Sequence, residues 1–104
     1  MYLPCHDEAC ARDLGRWLVQ RRLAACANVL PRMTSIYRWE GAIQEDKEAL
    51  LLLKTLDENL PRLWEAIRER HPYRLPGAVA YAASGGFPEY LDWVREECGQ
   101  ARSG

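Results

Sequence analysis

Apolar positions recur along the chain in two rhythms, one of period about 3.6 and one of period 2, and these separate helices from strands. Cys10, Leu14, Trp17, Leu18 and Leu23 fall at helical spacing, with Arg12, Arg16, Arg21 and Arg22 mainly on the solvated side. Asp7 is suited to cap the start of this first helix. A second helix carries Leu60, Leu63, Trp64 and Ile67 as its apolar stripe. It is predicted to begin near Asp57, because Pro61 is tolerated only in a first turn, and to end before His71-Pro72. Phe87, Tyr90, Leu91, Val94 and Cys98 form the stripe of a third, with Pro88 in its first turn and Gly99 at its stop.

Between the first two helices the strand rhythm takes over. Cys26 to Trp39 and Ile43 to Leu56 read as the two arms of one long hairpin, joined tightly at Glu40-Gly41-Ala42. Pro31 predicts a bulge or bend in the first arm. Met1 to Leu3 is a very short strand stopped by Pro4, and Ala78 to Ala83 is a last strand before the Gly85-Gly86 turn. The order β-α-β-β-α-β with a C-terminal helix is that of an α+β, ferredoxin-like sandwich with helices on one face of the sheet. No repeat or linker interrupts it, so residues 1–104 read as a single domain.

One segment does not suit a lone sandwich of this kind. Ala49-Leu50-Leu51-Leu52-Leu53 is apolar at consecutive positions, so both faces of that strand call for burial, whereas helices cover only one. The hairpin arms also exceed the usual strand of ~5–6 residues. Both features predict association, by symmetry preference with identical copies.

Composition narrows the function classes. With 14 basic and 15 acidic residues the formal net charge is −1, without the basic stripe that phosphate backbones demand, so nucleic acid is not an expected partner. No apolar run approaches the ~20 residues of a membrane span, and no leader pattern opens the chain, so a cytoplasmic protein is expected. The four cysteines are too sparse for a disulfide framework and are expected reduced.

Several separated stretches carry a family resemblance: Arg22-Leu23-Ala24-Ala25-Cys26-Ala27-Asn28, Thr34-Ser35-Ile36-Tyr37-Arg38-Trp39-Glu40-Gly41, Leu53-Lys54-Thr55, His71-Pro72-Tyr73 and Tyr90-Leu91-Asp92-Trp93. In this order, over nearly the whole chain, the sequence resembles the CutA family. The resemblance implies a tight homotrimer assembled through the long hairpins, PII-like in architecture. It also implies a role in tolerance of divalent cations, copper especially, but defines no biochemical activity; no required cofactor and no catalytic residue are expected. Copper ligands proposed for some members, a Cys in the first strand and a His near the end of the last, correspond here to Leu3 and to Ser84-Gly85-Gly86. Neither ligand is present.

Two groups of residues suggest chemistry of their own. Cys5, His6 and Cys10 gather at the start of the first helix, where soft thiolates and imidazole suit Cu(I) or Zn(II), so Cu or another divalent cation is the metal expected, and the helix terminus favours a reactive Cys5 thiolate. Cys10 also fits the apolar stripe as an ordinary small hydrophobe. Trp39, Glu40, Lys54, Tyr90 and Trp93 stand at strand ends and on the last helix. Converging between subunits, they would form a pocket for a small anion or polar ligand. His71, ending the second helix, is expected as a cationic cap. The acidic run Gln44 to Glu48 reads as a solvated face. A small ligand sensor or protein-interaction scaffold is the alternative to a cation-tolerance module. An enzyme using Lys54 and Glu40 has less support, since neither Ser35 nor Ser84 has an adjacent His.

Overall fold

The structure, a computed structural model, describes residues 1–99. Its framework is the predicted hairpin: β2 (Cys26–Trp39) and β3 (Ala42–Lys54) pair antiparallel from Cys26↔Lys54 at the base to Trp39↔Ala42 at the tip. Glu40 and Gly41 make the connection with φ of 50° and 81°. Positive φ at both central residues matches the right-handed twist of the flanking strands. The register shifts between Leu30 and Met33, where Pro31 lacks the N–H to continue the ladder, so the bulge read from the proline is present.

β1 (Tyr2–Cys5) adds along the inner half of β3, giving the order β1-β3-β2. Contrary to expectation, Pro4 does not end this strand. Met1 exchanges hydrogen bonds with Leu53, whereas the Tyr2 N–H points away from β3 to the Val79 carbonyl at 2.9 Å. By the two-residue period of a strand, the position of Pro4 faces that same outer edge, where β3 needs no donor.

The same proline explains a second departure. The predicted strand Ala78 to Ala83 is reduced to one bridge, Tyr2↔Val79. The next rung toward Gly77 would need an N–H from Pro4, which has none, and the Pro4 carbonyl is already held by His71 Nε2 at 2.9 Å. That segment still takes the outer position beside β1, so the ferredoxin-like strand order survives without a full fourth strand.

The helices follow the predicted stripes. α1 (Glu8–Gln20) is capped by Asp7, whose Oδ1 accepts from the Cys10 N–H at 2.8 Å. It ends in a Schellman arrangement, with the Arg22 N–H donating to the Val19 carbonyl and the Leu23 N–H to that of Leu18. A single 3₁₀ turn (Asp57–Asn59) leads into α2 (Leu60–Arg70), with Pro61 in the first turn. α3 spans Pro88–Gly99.

Leu3, Leu14, Leu18, Leu51, Leu53, Leu63 and Ile67 form the core between these helices and one sheet face. Gly15 brings α1 close, since a Cβ there would meet Ala27 Cβ at 3.0 Å and Leu51 Cδ1 at 3.1 Å. A smaller cluster of Ala25, Val94 and Cys98 seats α3. Not every predicted stripe residue is buried. Trp64 is 40% exposed and Phe87 80%, because the described chain places no element over them.

Ala49, Leu51 and Leu53 face this core and are buried, whereas Leu50 and Leu52, on the other face, stay half-buried. Leu50 stands between Pro4 and Leu30, and Leu52 between Tyr2 and Asn28. On this second face a helix is met only at the base, where α3 reaches Lys54. Beyond β1 the outer half of the hairpin pairs only with itself, and it displays Ile36 and Ile43 at 66% and 62% exposure.

Candidate functional site

At the base of the hairpin the last residue of β3 meets α3. Lys54 lies opposite Cys26 on β2, on the sheet face that carries Leu50 and Leu52. Its ammonium donates to the Tyr90 hydroxyl at 3.2 Å and sits 5.1 Å from the Tyr90 ring centroid. Tyr90 in turn packs against Trp93, with centroids 5.5 Å apart and planes tilted by 33°. These rings project together because three residues along a helix return to nearly the same face. The Tyr90 hydroxyl, by accepting from Lys54, holds the ammonium cationic and moves its pKa upward, ahead of a small opposing effect of burial. Three of the five predicted pocket residues are thus in contact within one chain.

The other two are not. Trp39 and Glu40 occupy the far end of the same hairpin, about 40 Å from Lys54 at the rise of an extended strand. Trp39 is half exposed. Among the described residues none brings them to the base.

The start of α1 has a different character from that expected of a soft-metal site. Cys5 is fully buried, and its thiol is pushed up from an ordinary 9.0 to about 12, first by burial and then by Cys10, Glu48 and Asp7. The expectation of a helix terminus activating this thiol is therefore corrected: Cys5 belongs to the core, and the nearby charges are negative. Cys10 is half-buried, with its thiol also raised, mainly by burial. His6 turns outward to Asp7 at 3.3 Å. Among the described residues no three His, Cys, Asp or Glu side chains gather so as to hold a metal ion. This donor set does not fit a resident divalent cation.

Sequence reasoning missed a polar network beside it. His71, 5% exposed, is the C-cap of α2. Its Nδ1 accepts from the Tyr73 N–H at 3.1 Å while Nε2 meets the Pro4 carbonyl at 2.9 Å. That pairing requires the neutral Nε2–H tautomer, so His71 ties α2 to β1 and is not the cationic cap expected. The Tyr73 hydroxyl donates to Glu48 at 2.6 Å, and burial followed by that carboxylate raises its pKa. The His-Pro-Tyr motif was visible in the sequence, but its long-range partners Pro4 and Glu48 carried no local signal.

A two-layer α+β arrangement with a sheet of order β1-β3-β2 and a long hairpin defines a small ferredoxin-like protein. A profile of the CutA1 divalent ion tolerance proteins matches residues 1–97. The chain is 49% identical over 93 residues to the divalent-cation tolerance protein CutA of Thermus thermophilus, covering 89% of this chain and 90% of that one. It is 41% identical to protein CutA of Mus musculus, over 91% of this chain and 54% of the mouse protein. The chain therefore spans about half the length of that relative. The solved structure of the Thermus protein superposes with a TM-score of 0.90 at 46% identity, covering 92% of this chain and 93% of the other. The chain belongs to the CutA1 divalent ion tolerance family. That family is named for tolerance and not for a reaction.

Proposed function

We propose that the chain acts as a homotrimeric, PII-like binding and response module in divalent-cation tolerance, copper included, with its ligand pocket formed between copies. Lys54, Tyr90 and Trp93 come from one copy and Trp39 and Glu40 from the hairpin end of another. The observation that carries this reading is the division of the pocket: three members touch at the hairpin base while the other two are displayed at its tip. The half-buried Leu50 and Leu52, on the sheet face away from the core, supply an apolar patch for identical copies to share. With no fitting metal cage among the described residues, the response to cations runs through a bound ligand or partner and not through Cys5. The reduced thiols are compatible with a cytoplasmic setting.

Complementation tests the divided pocket. Lys54→Met and Trp39→Ala proteins are each screened for small polar ligands bound by the parent, then unfolded, mixed and refolded together. Mixed assemblies in which one intact pocket reforms should regain binding that neither variant has alone. Full binding by either variant, or a parent that is monomeric at micromolar concentration by native mass spectrometry, overturns the reading.

A further inference from the structure

Lys54 is a cation without a carboxylate. Among the described residues it makes no ion pair, and its polar neighbours are Tyr90 on α3 and Cys26 across the hairpin. Of the acids flanking Tyr90 on α3, Asp92 is engaged by Arg95 at 2.8 Å, and Glu89 is exposed and makes no ion pair among the described residues.

The hydrogen-bonding inventory is one-sided. Lys54 uses one of its three N–H groups on Tyr90 and keeps two. The Tyr90 hydroxyl accepts that bond and retains its own proton to donate. The indole N–H of Trp93 has no hydrogen-bond partner among the described residues. The Cys26 thiol is directed to Asn28 Oδ1 at 3.7 Å. The cluster therefore offers donors to a ligand and scarcely an acceptor. Beside them, two aromatic rings at 38% and 39% exposure present partly open surfaces.

We infer that this cluster selects a planar carboxylate, its anionic head on Lys54 and the Tyr90 hydroxyl and its flat body against the Tyr90 and Trp93 rings. The inference rests on the reading of Lys54, Tyr90 and Trp93 as a ligand pocket, but all three side chains belong to one chain, so it does not depend on assembly. A charged acceptor answers the unpaired ammonium with a charge-assisted bond. A planar ring gains from offset or edge contact with the aromatic pair what a saturated ring of equal charge does not.

The probe is benzoate, titrated into the parent protein while the Trp93 indole resonance is followed by NMR. Cyclohexanecarboxylate and benzyl alcohol serve as controls for ring and charge. Benzoate should bind saturably and cyclohexanecarboxylate roughly three- to tenfold more weakly. Benzyl alcohol should be weaker by about tenfold or more. Lys54→Met should bind benzoate no better than benzyl alcohol, and Tyr90→Phe, which keeps the ring, should lose severalfold. Near-ultraviolet circular dichroism confirms that each variant is folded. Equal binding of the two carboxylates, undiminished benzoate binding by Lys54→Met, or no saturable shift overturns the inference.

Failure of this inference and of the divided pocket read differently. Lys54-dependent benzoate binding by a monomer supports the carboxylate site and removes the pocket between copies. Successful complementation by Lys54→Met and Trp39→Ala, with benzoate ignored, overturns the carboxylate and leaves the pocket standing.

Discussion

Arg22 holds φ at 60°, in the left-handed region that closes the Schellman turn of α1. A side chain pays for that conformation what glycine does not, so Arg22→Gly should raise stability by about 1 kcal/mol in urea unfolding. The exposed contact of Arg22 with Glu97, at 3.9 Å, offsets little of this. An unchanged or lower midpoint would show that the tie to α3 outweighs the backbone strain. Cys5 makes a second prediction at the same scale. Its folded pKa, raised from 9.0 to about 12, means that the folded state holds its proton while the unfolded chain releases it. The contribution of Cys5 should therefore be level below the ordinary thiol pKa of 9.0 and be lost from there to about pH 12. Cys10, Cys98 and Tyr73 are shifted upward too, so Cys5→Ala should lessen the alkaline slope without removing it. A slope identical to the parent's would show that the buried thiol plays no part. Asp7 as N-cap was legible because its chemistry is local. The burial of Cys5 was not, because it depends on β3 and α1 closing over it.

Among the elements, the hairpin was the most legible, since alternation, a Gly-containing turn and Pro31 each act over a few residues. α1 and α2 were equally readable from their stripes. The final strand was misread because its residues have strand character but its partner lacks a donor: Pro4 limits pairing at Gly77 from 73 positions away. No pattern within Ala78 to Ala83 carries that information. Close approach was likewise invisible, as Gly15 sits within a helical pattern that gives no reason for a glycine. Contact of Gly15 with Ala27 and Leu51 supplies it. Gly15→Ala should lower stability by about 1–3 kcal/mol despite alanine's better helix propensity, because the added methyl pushes α1 off the sheet. Thermal unfolding measures it, and a stabilised variant would mean that the helix moves away freely.

For the whole molecule, the five consecutive apolar residues of β3 proved to face two environments. Ala49, Leu51 and Leu53 are enclosed by this chain's own helices, while Leu50 and Leu52 remain half-buried on the other face. The first half of that pattern is fold and the second half is the motive for the proposed trimer. Leu50→Arg, which adds charge on the open face and leaves the core untouched, should shift the assembly to monomers by sedimentation velocity while preserving the far-ultraviolet spectrum. Persistence of the parent's oligomeric state would place any interface elsewhere. The candidate pocket was half legible for a related reason. Lys54, Tyr90 and Trp93 lie close in one chain, whereas Trp39 and Glu40 can join them only through a geometry that a single sequence does not encode in its local spacing.

The outer border of β1 is finished without a strand to finish it. Tyr2 spends both its backbone groups on Val79, Pro4 has no hydrogen to offer, and its oxygen is taken by His71. An extended segment from another molecule arriving there finds no sequence of vacant donors and acceptors to copy. This margin is thus sealed against templated growth by an added strand. The modest proline of the first strand helps to close that margin.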